Sequence, residues 1–324
     1  MTRYAFGVDL GATHLRAIKV RTGREGIEIV SRTRLKVNEK NPKAVCRIIA
    51  RALEKAGGPG QTVGVAAAAQ LSADSRMVLN SPNYGWRNFD FATMLEETLG
   101  TRVIVDNDIN AAAVAEAEYG AGRGFKSVLT VLLGSGIGAG LVLDGNLYRG
   151  ATGVAGEIGH VKIRGPRSRR CGCGQRGCLE AYVGGINLAA RLREDLERGV
   201  DSSLQEMFRD DPSRISTALM EKAALSGDRY AKRIWGQVAG MLGDSLANAV
   251  TVLNPDVLIL GGGGFLHCPH LRDHVGTRVK ERALSACGLV LNVRTAELGD
   301  DAGALGAAFL ADKEHGVKLK RRYV

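Results

Sequence analysis

Apolar and polar positions along this chain alternate between strand-like and helix-like spacing. The run RYAFGVDLGATHLRAIKV, Arg3 to Val20, consists of two apolar segments either side of a glycine-containing turn, and both favour strand. SVLTVLLGSGIGAGLVLDGNLYRG, Ser127 to Gly150, repeats the design: a strand to Leu133, a turn over Gly134 to Gly138, and a return strand from Ala139 to Leu143 that ends in an Asp-Gly turn. The two copies lie about 125 residues apart, an internal echo that predicts two related halves with a cleft between them. Between them the pattern predicts a helix over Lys43 to Ala56, a strand over Thr62 to Ala68, a helix over Phe91 to Leu99, a strand over Arg102 to Asp106 and an alanine-rich helix over Ile109 to Tyr119. Beyond Cys178 it turns mainly helical: Val183 to Glu197, Arg214 to Leu225 and Arg229 to Leu253. A strand over Val257 to Leu260, a helix over Leu271 to Ser285, a strand over Leu289 to Thr295 and a closing helix over Ala302 to Lys313 complete the chain.

This alternation predicts an α/β protein of two domains. Residues 1–118 form a small N-terminal α/β domain, joined by a C-terminal helix within 300–324, and residues 119–299 form a large α/β domain carrying a metal-binding loop at 160–178. A length of 324 residues with 45% hydrophobic content suffices for such cores. Glycine is abundant at 43 residues while proline stands at 7, so the glycines need local explanations rather than a low-complexity one. No apolar run approaches a membrane span of about 18 to 20 residues, and Met1 to Gly11 lacks the apolar core of a secretion signal, so a cytoplasmic protein without a membrane partner is expected. The formal charge of +10 gathers in separate patches: Lys19 to Lys43, Arg167 to Arg170, and Lys318 to Arg322. Aromatics make up 5% of the chain and do not interleave with these patches, which therefore read as solvated surface and not as a nucleic-acid site.

The chemistry concentrates in four places. His160, Cys171, Cys173 and Cys178 supply one imidazole and three sulfurs, a complete tetrahedral set for structural zinc with no open position for catalysis. Glu157 and Glu180 flank this clip and are drawn together by it. HCPH, with His267, Cys268 and His270, reads as loop. The second place is the pair of glycine turns. LLGSGIGA fits the loose dinucleotide pattern, but a strand follows it where that motif needs a helix, and GAGRGFKS has Phe125 where a phosphate-binding loop needs its second glycine. What remains is a strand-turn-strand whose glycines let backbone N–H groups approach an anion, with hydroxyls at Thr13 and Ser135 and with Asp9 able to position a phosphate-bound Mg2+ through water. The third place is VLILGGGG, ending at Gly264, whose glycines suit close approach to a flat ligand such as adenine. The fourth is VDNDINAAA, where Asp106, Asn107, Asp108 and Asn110 stand at a strand-to-helix corner. One N-cap explains one of these residues, and a carboxylate there can take the proton of an attacking hydroxyl.

VDLGATHLR, NDINAAA, GSGIGAGLVLDGNLYRGATGVAGEIGH, CGCGQRGCLEAY and LNPDVLILGGGG occur in the order and spacing of the ROK family of repressors, open reading frames and sugar kinases, and the chain resembles that family over essentially its whole length. The nearest likeness is to the family's bacterial glucokinases. The resemblance implies a two-domain, actin-like (ribonuclease H-like) sugar kinase fold with an interlobe cleft that binds ATP and sugar. It implies ATP-dependent phosphorylation of a hexose at its 6-hydroxyl, with glucose first and N-acetylglucosamine, N-acetylmannosamine, mannose or fructose as alternatives. It makes Asp108 the general base, Asn107 and Asn83 sugar ligands, and Glu157, His160 and Glu180 sugar contacts, with His160 also on the zinc. Asp9, Gly11 and Thr13 match the first phosphate loop, Gly134, Ser135 and Gly136 the second, and Gly261, Gly262 and Gly263 the nucleotide region. The cofactors implied are ATP, Mg2+ and structural Zn2+, in a homodimer or homotetramer, and some relatives use polyphosphate as donor. Three positions depart from the family pattern: Ala12 and the pair Ala68 and Ala69 replace common glycine and proline-glycine positions, and Ser135 replaces threonine. A sugar-binding regulator is the alternative of another class; the family's repressors carry a DNA-reading domain ahead of the first phosphate loop, which here begins by residue 9.

Overall fold

Glycine turns that reverse a strand after a few residues set the topology of both sheets. The computed structural model describes residues 3–23, 26–59, 62–163 and 168–316; Arg164, Arg167 and the Lys318 to Arg322 tail lie outside the described residues. Strands β1 (Arg3–Leu10), β2 (His14–Gly23) and β3 (Gly26–Lys36) form an antiparallel meander. Helix α1 (Pro42–Lys55) starts on an Asn41 cap with proline in its first turn, and buries Val45, Cys46, Ile49, Ala52 and Leu53 along one stripe. It leads to β4 (Thr62–Ala67), parallel to β1 and buried at every position, as a strand covered on both faces must be. A small sheet of β5 (Gln70–Leu71), β6 (Met77–Ser81) and β7 (Trp86–Asp90) precedes α2 (Phe91–Leu99), which Asp90 caps. Strand β8 (Arg102–Asn107) joins parallel to β4, and α3 (Asp108–Tyr119) follows without a loop. The order is β3-β2-β1-β4-β8.

The second sheet has the same design. Strands β9 (Val128–Leu133) and β10 (Ile137–Leu143) are joined by three residues, which only an antiparallel pair permits. Asp144 and Gly145, both at positive φ, turn the chain into β11 (Asn146–Leu147). Helices α4 (Glu180–Val183), α5 (Gly185–Glu197), α6 (Gln205–Asp210), α7 (Thr217–Leu225) and α8 (Arg229–Leu253) come next. Strand β12 (Val257–Gly261) pairs parallel to β9; after α9 (Gly263–Leu266), α10 (Pro269–Arg282) and α11 (Ser285–Gly288), β13 (Asn292–Thr295) pairs parallel to β12. The order β11-β10-β9-β12-β13 repeats that of the first sheet, a three-strand meander extended beyond its first strand by two successive strands parallel to it. The internal echo read from two glycine turns thus extends to whole-sheet topology.

Helix α12 (Ala302–Gly316) closes the first sheet. A Cβ on Gly7 of β1 would overlap the Ala304 carbonyl, and one on Gly64 of β4 would overlap that of Ala307. The helix therefore rests backbone against backbone on the two central strands, while the opposite face of the sheet holds the main core, including Val8, Leu10, Ile49, Leu53, Val65, Phe91 and Leu95. Among the described residues, those of 1–126, 140–156 and from 297 on form one compact unit, and 127–139 with 157–296 a second. No described helix is long and apolar enough to cross a membrane.

Candidate active site

In the first unit the β8–α3 corner is built by its own polar residues. Asn107 caps α3: its Oδ1 accepts from the N–H groups of Ile109 at 2.9 Å and Asn110 at 3.1 Å. Its amide donates to the Ala69 carbonyl at 3.2 Å, which links the corner to the Ala68-Ala69 departure. Asp108 opens the helix half-buried, its Oδ1 accepting from the Ile109 N–H at 3.0 Å. Asp106 is 2% exposed and bonded on both oxygens, with Arg149 as its cationic partner. Sequence reasoning missed Arg149, which carries no signal of its own.

The β1–β2 turn is fixed by the Gly11 N–H donating to the His14 carbonyl at 3.1 Å and by the Val37 N–H donating to the Thr13 carbonyl at 2.9 Å. Ala12 and Thr13 are exposed, so the methyl of Ala12 crowds no protein group. Tyr84, buried in the β6–β7 turn, donates to the Gly11 carbonyl at 2.7 Å, while its neighbour Asn83 is exposed. Asp9, at the end of β1, faces Gly303 in the first turn of α12, where an added Cβ would come within 2.9 Å of its carboxyl carbon. Burial pushes its pKa from 3.8 up to about 6; Arg16, 3.6 Å away, opposes that rise and Asp300 adds to it.

In the second unit four sequence-predicted features converge. His160, Cys171, Cys173 and Cys178 bring their ligand atoms within 4.8 Å of one another, and among the described residues this is the one such gathering of three or more metal-binding groups. His160 turns Nδ1 toward Cys171 Sγ at 3.7 Å and Nε2 toward Glu157 Oε2 at 3.6 Å. One ring thus serves the sulfur cluster with one nitrogen and a carboxylate with the other. Glu180 lies beside the cluster, with Oε1 3.9 Å from Cys171 Sγ, and its Oε2 accepts from the Ile137 N–H at 3.2 Å. That N–H ends the β9–β10 turn, where a Cβ on Gly136 would overlap Glu180 Oε2. The turn is tied in place by the N–H groups of Gly185 and Ile186, which donate to the Gly134 and Ser135 carbonyls at 2.9 and 3.1 Å. Lys162 Nζ reaches Cys178 Sγ at 3.0 Å, and Arg169 pairs with Glu194 at 3.0 Å, so these two cations of the loop have defined partners.

The glycine run after β12 has a packing explanation. Gly262 has a φ of 78°, and a Cβ there would come 2.5 Å from the Leu133 carbonyl; on Gly264 it would come 2.6 Å from Leu133 Cγ and on Gly261 2.7 Å from Ala296 Cβ. Gly263 alone of the four is exposed with only ordinary contact. His267 and His270 are exposed and take no part in the sulfur cluster.

The sequence matches the ROK family over residues 5–314. It is 32% identical to a glucokinase of Halalkalibacterium halodurans, with 96% of each chain covered. The structure is similar to a ROK hexokinase from Thermus thermophilus, with a TM-score of 0.81 and 30% identity over 97% of this chain and 99% of that one. It is also similar to a ROK family glucokinase from Streptomyces griseus solved with glucose and AMPPNP, with a TM-score of 0.79 and 29% identity over 96% of this chain and 100% of that one.

Proposed function

The chain belongs to the ROK family, and on that premise we propose that it is an ATP-dependent glucokinase transferring the γ-phosphoryl group to the 6-hydroxyl of glucose. One observation carries the reading: Glu180 touches both the sulfur cluster, through Cys171, and the β9–β10 turn, through the Ile137 N–H. A sugar-binding carboxylate is thereby held in register with a phosphate-binding turn. Glu157 and His160, 3.6 Å apart, supply the other hydroxyl contacts, and Asn107 orients the sugar beside Asp108.

Asp108 accepts the proton of the 6-hydroxyl as that oxygen attacks, a contribution of about 10² to 10⁴ in rate. The N–H groups of the two glycine turns bind and orient the phosphates, and Asp9 holds the hydrated Mg2+ of the nucleotide. The donor set of His160 and three cysteines suits structural Zn2+, which supplies a fixed loop and no open coordination position. With Nδ1 turned to the metal, His160 would carry its proton on Nε2, beside Glu157, where it could donate to a sugar hydroxyl.

The test is ADP release across a panel of hexoses. Turnover that depends on glucose, and falls at least about 10²-fold in Asp108→Ala, is the expected result. ATP turnover without sugar dependence, or full activity in that variant, would overturn the assignment.

A further inference from the structure

Asp106 stands two residues before the base assigned above and is 2% exposed. Its Oδ1 accepts the Asn107 N–H at 2.8 Å and the Asn110 amide at 3.0 Å. Its Oδ2 accepts Nε and Nη2 of Arg149 at 2.9 and 2.6 Å. The carboxylate thus grips the peptide that leads into Asp108 with one oxygen and a guanidinium with the other. Arg149 is held in turn, since its carbonyl accepts the Ala155 N–H at 3.0 Å and closes the intervening loop. Inside that loop Gly153, at a φ of 82°, leaves no room for a Cβ, which would come 2.9 Å from the Leu71 carbonyl. The arginine is therefore seated on a rigid platform and not on a free strand end.

We propose that Arg149 is a positioning residue for phosphoryl transfer: by forking onto Asp106 it fixes the Asn107–Asp108 corner in the geometry that presents Asp108 to the substrate hydroxyl. The inference rests on the kinase reading above. A buried carboxylate deprived of its cation is strongly unfavourable, and it relaxes by taking a proton or by turning toward solvent. Turning out releases the Asn107 N–H, the start of the peptide that carries Asp108. Lysine at this position keeps the charge that neutralises Asp106 but lacks the planar fork that sets its orientation. Charge and orientation can thus be separated experimentally.

Glucose-dependent ADP release by the wild type tests the kinase reading, and the ratio of Arg149→Lys to wild type tests this one. In Arg149→Lys, kcat is expected to fall about 10- to 100-fold, with KM for ATP within about threefold and Tm little changed, because small misplacements of a reacting group cost rates of that order. In Arg149→Ala, added methylguanidinium is expected to restore several-fold of the lost kcat. Wild-type kcat in Arg149→Lys overturns the proposal, as does a folded Arg149→Ala whose kcat methylguanidinium leaves unchanged. Should Arg149→Ala fail to fold, the lysine variant decides alone. A wild type without kinase activity would sink the kinase reading, and amide hydrogen exchange would still decide whether Arg149 holds the corner. Lost protection over Asn107 to Ala111 in Arg149→Lys supports that role, and unchanged protection refutes it.

Discussion

Asp9→Asn separates stability from function at the first glycine turn. Asp9 is a largely but not fully buried carboxylate whose pKa rises from 3.8 to about 6, chiefly through desolvation. The displacement corresponds to about 3 kcal/mol at about 1.4 kcal/mol per pH unit. The folded state binds the proton more tightly than the unfolded chain, so stability falls as pH rises from about 4 through 6, and the full cost is present above that range. For one such group the cost is about 1.6 kcal/mol at pH 5 and about 3 kcal/mol at pH 8. Asparagine has no charge to desolvate. Arg16 is not orphaned by the change, because its Nη2 also meets Asp300 at 2.5 Å. Urea denaturation of both proteins at the two pH values should therefore show Asp9→Asn the more stable at pH 8, by an advantage about 1.4 kcal/mol larger than at pH 5. Kinase turnover should be lost in the same variant, since the amide cannot hold hydrated Mg2+ as a carboxylate does. An advantage that stays constant with pH, or shrinks toward pH 8, would refute the claim that burial of the charge sets this site's energy.

Gly136→Ala should raise KM for glucose about tenfold or more and raise KM for ATP as well, because the new methyl overlaps Glu180 Oε2 within the turn that orients the phosphates; steady-state kinetics with both constants unaltered would contradict it. Cys173→Ser should purify with less zinc and a lower Tm, and metal analysis showing equal content would remove the zinc assignment. Glu116, 1% exposed, accepts the N–H groups of Ala121, Glu297 and Leu298 at 2.9 to 3.0 Å. In Glu116→Gln one acceptor becomes a donor facing a backbone N–H, a cost of about 1 to 3 kcal/mol in urea denaturation, and a change under about 0.5 kcal/mol would show that the carboxylate is not needed there.

What was legible in the sequence was local chemistry. That one residue of VDNDIN caps a helix is legible because capping is a contact between residues two or three apart, the structure giving that place to Asn107, and α8 reads at its full length because its apolar stripe repeats over 25 residues. The four metal-site residues are legible because ligand chemistry restricts residue type. Arg149 is not, because its partner lies 43 residues away and a lone arginine before a glycine carries no local mark. Glu116 is hidden for the same reason, with partners 181 and 182 residues on. Strand β3 escapes notice because the half-buried face of SRTRLK carries the polar Ser31 and Thr33 beside Leu35, so apolar alternation is lost, and β10 begins two residues earlier than expected because three residues suffice for its turn. The glycine run at Gly261 to Gly264 was read as room for a ligand, yet Gly261, Gly262 and Gly264 are accounted for by contact with neighbouring strands and their ends. Missing side chains look alike in a sequence whether a ligand or another backbone fills the gap.

The seating of α12 bears on how the chain is made. Gly306 of that helix abuts the Ala111 carbonyl, as Gly7 and Gly64 abut the helix itself, so the first sheet has one face fitted to a segment translated long after its strands. About 180 residues separate the end of α3 from the start of α12. At about 5–20 residues per second, a ribosome leaves that face of β1 and β4 uncovered for roughly 10 to 40 s. During this interval the glycine-lined groove that later receives α12 is open backbone, so nascent chains are expected to need holding in solution until α12 emerges.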